Sequence, residues 1–522
     1  MGSAHRVEPT RACHLRVSSG VDPSWTECNV RGLILLGMNP GFIGSSVVPV
    51  HGNHFTTEHH RIVRTFWQTD THTLVNRLED LPGKLSLDRE ALETFLLVGS
   101  VPGSRTLFEG VECLRGGCDF GLDESGLTLQ SMSQYAKKNL ENLSLSKLRE
   151  RGAHLLRRAA DRAYQSGAGI LLPLSGGLDS RALLALLMER RNPSEIQTYT
   201  YGIPGTLDFE IGNRVAARAG TRHTTIDLRA MEFTVDRLVQ TAKWSDANTN
   251  LFQPYVWTEV ARRFGTEMTI WSGYTGDGLA GSFFQEEKGL DTDQAVQRYL
   301  DFASRTLTWH STPEAQRRAR EAAASMVATK TKYDHVLSRQ EAIWFANHPE
   351  RYTTHQVFMN RLTYRCPFMD DEVATFLLNL GPDHRKKKLF FDHFVSSVWP
   401  ELFRHPTRCS GYRLSRSRWS PLRNVAWLAN RTIRKAGHRF NPVRVTHPET
   451  AYLDFRVALT DSAEVRSVAR ELVHSLAERG ILDRAKILDF WDEHQRHRSQ
   501  TSLIPTLASL EAIIRAFDVR KA

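Results

Sequence analysis

Two short stretches carry residue types that could do chemistry together. Residues 175–180 read SGGLDS, and residues 272–281 read SGYTGDGLAG. In the first, Gly176 and Gly177 allow backbone angles closed to other residues and let the chain approach a ligand closely. Their N–H groups, with those of Leu178 and the next helix, would make an anion cradle, and Ser175 and Ser180 add hydroxyl donors. Asp179 would repel a bare phosphate, so it makes sense only if a cation such as Mg²⁺ sits between them. The second stretch supplies another carboxylate, Asp277, able to share that ion. Its alternative is a turn-forming aspartate beside a glycine. The pattern G-x-x-x-x-G-K-S/T of the Walker loop is absent from the first stretch.

The surrounding elements suit such a site. GILLPL (169–174) is a short apolar run with no polar face, followed by the helical pattern SRALLALLMERR. Strand-like IQTYTYG, HTTIDL and TEMTIWSG alternate with the helical segments LDFEIGNRVAARAG and LVQTAKW. Apolar strands alternating with helices predict a parallel sheet covered on both faces, with ligands past the carboxyl ends of its strands. Both stretches fall there. Pro173 is tolerable only near a strand end. SLSKLRERGAHLLRRAADRAYQSGAG (144–169) predicts an amphipathic helix that opens this unit, so a domain boundary is expected near residue 140. The first 140 residues read as a smaller mixed α/β region, and beyond about 285 the pattern is mostly helical.

Composition sets bounds. A chain of 522 residues, 41% apolar and 24% charged, is long enough for two or three domains. No apolar run approaches the roughly 20 residues that span a bilayer, and no signal-peptide core opens the chain, so a cytoplasmic location is expected. Six scattered cysteines fit that compartment; Cys113 and Cys118 lack a second ligand pair for zinc. The net charge is +10, and no acidic residue occurs from Leu402 to Pro448. This basic segment, Arg404 to Arg444, reads either as a solvated surface or as a contact for an anionic partner such as a polyanion.

The strand–SGGLDS–helix unit resembles the PP-loop of ATP pyrophosphatases, which cleave ATP between its α and β phosphates. The second stretch is similar to the S-G-E-G-A/S-D-E-L-F-G-G segment of asparagine synthetases; Ser272, Gly273, Asp277, Leu279 and Gly281 match it outright. YRCPFMDDEVATFLLNL from Tyr364, KKKLFF from Lys386, and TLFEGVECLRGG from Thr106 resemble further landmarks of that family, in order. The resemblance runs from about residue 87 to about 412. It implies a Rossmann-like PP-loop domain over 141–522 with a large helical C-terminal part, preceded over 1–140 by a truncated relative of the N-terminal-nucleophile glutaminase fold. It also implies that ATP·Mg²⁺ is held by residues 175–180 with Ser272 and Gly273, that Asp179 and Asp277 carry the metal, and that a substrate carboxylate is adenylated and passed to an amine or ammonia.

Four departures modify that expectation. The chain begins Met1-Gly2-Ser3, without the cysteine that serves the glutaminase, so nitrogen is expected from ammonia or from an amine already on the substrate. Tyr274 replaces a carboxylate that handles the amine. It is either a base helped by a carboxylate such as Glu286 or Glu287, as the tyrosine of β-lactam synthetases resembles, or a pocket wall. Gly278 replaces the glutamate after Asp277. Arg408 falls at the place of a catalytic lysine, and the run Lys386–Lys388, Lys388 included, is the alternative cation. Lasso-peptide cyclases of the same family also lack the glutaminase nucleophile. An amide-forming ligase acting in peptide macrolactam formation is therefore the leading expectation, followed by other natural-product or surface-sugar modification. Ammonia-dependent asparagine synthesis, tRNA modification and a non-catalytic scaffold are the alternatives. Arg365 and Asp370 are expected to support the site rather than react.

Overall fold

The computed structural model describes residues 34–36, 54–57, 59, 62–123, 126–284, 289–306, 312–403, 455, 458–459, 462–497 and 503–520. Arg408 and the rest of the basic segment, with Glu286 and Glu287, lie outside the described residues.

Among the described residues, seven strands precede residue 140. Strands β1 (Ile34–Leu36), β4 (Thr73–Val75), β3 (Phe66–Gln68) and β5 (Val111–Cys113) make one sheet; β2 (His54–Thr56), β6 (Cys118–Asp123) and β7 (Gly126–Met132) make another. Phe55, Trp67, Leu74, Leu114 and Phe120 pack together as a small core. The helix Arg89–Val98 turns elsewhere: Ala91, Phe95 and Leu96 share a core with the helix Leu503–Ala516 and with Leu171 and Ile270 of the central sheet. A buried clamp joins the same regions. Arg64 Nε lies 2.9 Å from Asp246 Oδ2, and its Nη2 donates to the Phe358 carbonyl at 2.8 Å.

The central sheet is parallel and five-stranded, in the order β10 (Arg222–Asp227), β9 (Gln197–Gly202), β8 (Ile170–Pro173), β11 (Thr269–Trp271), β12 (Thr363–Arg365). The chain runs outward from β8 through β9 to β10, then returns to the other side of β8 for β11 and β12. The crevice between β8 and β11 is thus the point where strand order reverses, where ligands bind in sheets of this kind. β8 is central because Ile170, Leu171 and Leu172 have no polar face to leave in water; all three are buried. Pro173 ends the strand, as expected, and Leu174 N–H still donates to the Tyr199 carbonyl at 2.7 Å. β12 was not expected; three residues before a proline give too short a pattern to read.

The sheet also splits at this point. Pairing of β11 with β8 stops at Ile270↔Leu171. Beyond it, Leu174 leans on β9, whereas Ser272 N–H donates to the Arg365 carbonyl at the end of β12 at 2.9 Å. The two chemistry-bearing loops begin on opposite sides of that split.

Candidate active site

The first loop is held by its own polar groups. Gly176 N–H donates to Asp208 Oδ1 at 2.9 Å, and its carbonyl accepts from Arg181 Nη2 at 3.0 Å. Arg181 is wholly buried, and burial pushes its pKa down to about 10 against the opposing pull of Asp208. Gly177 N–H donates to Ser175 Oγ at 3.1 Å, and the Ser175 and Ser180 hydroxyls lie 3.2 Å apart. The glycine amides therefore shape the turn, and Leu178 packs in the core beneath it. Ser175, Asp179 and Ser180 are the members that face the cavity, at the N-terminus of the helix Asp179–Met188. A helix start and two hydroxyls suit an anion.

The second loop packs onto the first, so the two stretches form one site. A Cβ on Gly273 would lie 2.8 Å from Asp179 Cβ and 3.3 Å from Ser180 N, closer than side chains tolerate. Glycine is required there by this approach. Thr275 follows in a left-handed conformation, φ 63°, unusual for a β-branched residue and of a kind found where structure is held for function. A π-type turn, Gly278–Ser282, carries the chain away from Asp277, whose Oδ2 accepts from Ser282 Oγ at 3.0 Å. Gly281, at φ 108°, lies against the Arg385 carbonyl, where a Cβ would come within 2.3 Å. That contact seats the segment 385–388 beside the loop, and a buried pair of Arg385 with Glu341 at 2.9 Å anchors it. Lys387 and Lys388 are both left-handed, and Lys388 Nζ reaches to 3.9 Å from Asp277 Oδ2. Of the two candidate cations, Lys388 is thus at the site; Arg408 lies outside the described residues.

Both loops open into one cavity of about 520 Å³. At the strand tips it is lined by Ser175, Asp179, Ser180, Thr200 and Asp208, and across the crevice by Ser272, Gly273 and Asp277. Its far end is aromatic: Phe283, Trp344, Phe345, His348 and Tyr352. A second π-type turn, His348–Thr353, shapes that wall. Among the described residues, the side chains of fixed charge that line the cavity are Asp179, Asp208 and Asp277. No three His, Cys, Asp or Glu side chains among the described residues converge as a protein-only metal cage. Asp208 is engaged with the Gly176 amide, and the other two carboxylates, Asp179 and Asp277, nevertheless fit Mg²⁺, which is commonly held by one or two carboxylates together with substrate phosphates.

Tyr274 stands in the wall of this cavity. Its hydroxyl donates to the Pro349 carbonyl at 2.7 Å, and its ring meets Phe358 edge-on at 5.1 Å between centroids. Burial, reinforced by Glu350, raises the phenol well above its ordinary range. A proton so held is poorly placed to leave, so the geometry suits a wall better than a base. Glu350 itself is engaged by Tyr333 and Lys332, each at 2.7 Å. Burial also pushes His348 down to about 4, which keeps its imidazole neutral near pH 7. Asp370 caps the helix Asp371–Leu378 and pairs with Arg162 at 2.7 Å, and Arg365 donates to the Tyr364 carbonyl at 3.0 Å. Neither is among the residues lining the cavity. Sequence reasoning missed Asp208, Arg181 and His348 as parts of the site. Asp208 lies in the first turn of the helix Leu207–Ala219, and the helical segment LDFEIGNRVAARAG was the available signal.

A parallel sheet split at its reversal point, with an SGGLDS turn and a second carboxylate loop across the split, defines a PP-loop type of nucleotide site. The sequence profile of the asparagine synthase family matches residues 151–515, and the chain belongs to that family of ATP-dependent amidating ligases. No curated protein matches the chain. Among solved structures, the NH3-dependent NAD synthetase of Campylobacter jejuni subsp. jejuni NCTC 11168, in complex with the nitrate ion, is similar at 13% identity and a TM-score of 0.19; the match covers 35% of this chain and 95% of that one.

Proposed function

We propose that this protein adenylates a substrate carboxylate, releasing pyrophosphate, and then transfers the acyl group to an amine with loss of AMP. The observation that carries the reading is the contact of Gly273 with Asp179, which puts two carboxylates and the SGGLDS hydroxyls around one cavity. In this reading Ser175, Ser180 and the start of the helix Asp179–Met188 receive phosphate oxygens. Ser272 and Gly273 close the opposite side, while Gly176, Gly177 and Leu178 act by shaping the loop. Asp179 and Asp277 would hold Mg²⁺, which when bound offsets phosphate charge. Lys388 adds positive charge beside Asp277, able to stabilise a developing oxyanion; Arg408 remains a proposed second cation. Carboxylate oxygen attacks the α-phosphorus, the α–β bridging bond breaks, and pyrophosphate takes the electron pair. The amine then attacks the acyl carbon and AMP departs.

Tyr274 in place of a carboxylate supports a substrate other than aspartate with ammonia, because a buried neutral phenol gives an incoming ammonium no charge to pair with. We favour an amine already on the substrate, delivered by the same binding event as the carboxylate, as in peptide macrolactam formation, in a cytoplasmic enzyme. On this reading the region 1–140 is a reduced glutaminase-like part serving as support, and the basic segment Arg404 to Arg444 is a contact for an anionic partner. Incubation with ATP, Mg²⁺ and linear peptides bearing an Asp or Glu side chain tests it. AMP, pyrophosphate and a peptide product lighter by one water are expected, and Asp277→Asn should lower the rate at least a hundredfold. Release of ADP would overturn the adenylation reading.

A further inference from the structure

Behind the aromatic end of the main cavity lies a second one, of about 350 Å³. The two share Phe283 and Trp344, whose rings lie 3.9 Å apart between centroids at a tilt of 33° and form the partition. Phe283 is 40% exposed and sits just past the π-type turn of the second loop, at the surface rather than in the core. Gly278 leads to this partition. A Cβ there would meet Phe283 and Phe345 at 3.7 Å, so a longer side chain would occupy the space between Asp277 and the aromatic pair. Glycine leaves that contact unfilled.

The second cavity is chemically distinct from the first. Tyr299, Phe302, Phe283 and Trp344 supply its apolar faces. Its two acids are engaged, Glu341 with Arg385 at 2.9 Å and Asp301 with Arg320, and Arg298 and Gln340 complete its lining. Arg305 covers one face of Phe302 at 4.5 Å. Acids already paired leave no call for a cationic ligand, whereas aromatic faces in a concave site of a few hundred Å³ suit an apolar one. Nothing at this position resembles a nucleotide cradle.

We propose that the second cavity is a subsite for the body of the carboxylate substrate, and that it takes an aromatic side chain two or three bonds removed from the carboxylate's own residue. The carboxylate lies near Asp277, the chain passes over Gly278, and the ring packs behind Phe283 against Trp344 and Phe302. The substrate is then a peptide or a molecule of similar reach, not a four-carbon amino acid. This rests on the reading that the main cavity activates a carboxylate, and the test separates the two.

The probes are the dipeptide amides acetyl-Asp-Phe-NH2 and acetyl-Asp-Ala-NH2, which differ only in the ring. Calorimetric titration of the full chain saturated with a non-hydrolysable ATP analogue and Mg²⁺ should give at least tenfold tighter binding of the ring-bearing probe, about 1.4 kcal/mol. Gln340→Trp, which fills only the second cavity, should abolish the preference and leave the affinity for the alanine probe unchanged. Phe302→Trp serves the same purpose if the first variant is unstable. Equal affinities, a preference that survives both variants, or binding of neither probe would overturn the subsite. Pyrophosphate exchange into ATP is measured in parallel. A ring preference without exchange removes the adenylation reading and keeps the subsite, and exchange without a ring preference does the reverse.

Discussion

Replacing Gly273 with alanine should disable the site while leaving most of the fold intact. The added Cβ would stand 2.8 Å from Asp179 Cβ, 3.2 Å from the Asp179 carbonyl carbon and 3.3 Å from Ser180 N. Carbon atoms rest at about 3.5–4.0 Å, so the loops must separate by roughly 0.7 Å or more. None of the crowded atoms belongs to a flexible side-chain end, and overpacking of this kind costs about 1–3 kcal/mol. The larger effect is on geometry. The displacement falls between the helix start carrying Asp179 and the loop carrying Asp277, and errors near 1 Å in such an arrangement cost about 100-fold in rate. Gly381→Ala is the matched control: nothing lies within 4 Å of its Cβ position and its φ is −60°. Affinity for Mg·ATP by calorimetry, pyrophosphate exchange and thermal unfolding should be measured for both variants. Gly273→Ala should lose exchange by about two orders of magnitude with a modest drop in Tm, and Gly381→Ala should change neither. Wild-type ATP affinity and exchange in Gly273→Ala would refute the claim that the two loops form one site.

Other variants probe individual contacts. Tyr274→Phe removes the bond to Pro349 and should cost about 1 kcal/mol of stability with a less than tenfold change in turnover; a loss of 100-fold or more would make the phenol a base. Arg64→Met leaves Asp246 as a buried, unpaired acid and should destabilise the chain by about 3–5 kcal/mol in denaturant titrations. His348, depressed to about 4 in the folded chain, makes a contribution to stability that is present above its ordinary pKa of 6.5 and declines as pH falls from there toward 4. Replacement by phenylalanine should flatten that part of the stability profile, and an unaltered slope would contradict the buried neutral imidazole. Lys388→Ala should lower exchange by at least tenfold and Lys386→Ala should not, if proximity to Asp277 is what matters.

The parts of this site that were legible in sequence are those written in local patterns. The apolar GILLPL run announced a buried strand, its glycine-serine turn announced an anion site, and Gly220 marked the end of the helix Leu207–Ala219 in its left-handed cap. The second loop was legible because Asp277 keeps its glycine neighbours. What escaped was set by tertiary contact. Arg181 looks like a solvated helix residue until the fold buries it against the Gly176 carbonyl and near Asp208, and Asp208 acts on a glycine 32 positions away. The choice between Arg408 and the lysine run stayed open in sequence. The seating of Lys388 depends on Gly281 meeting Arg385, a contact between segments 104 residues apart that no local pattern encodes. The aromatic end is assembled from the second loop and the helix Arg339–Asn347 with its π-type extension, and periodicity reads these simply as core.

The central claim is that a carboxylate attacks the α-phosphorus of ATP at the carboxylate pair Asp179 and Asp277. Oxygen-18 placed in the carboxylate of the accepted substrate, followed by ³¹P NMR of the nucleotide product, tests it directly. The account predicts AMP carrying one labelled oxygen, with unlabelled pyrophosphate, and loss of both products in Asp179→Asn. Unlabelled AMP, or ADP with the label in inorganic phosphate, would contradict it.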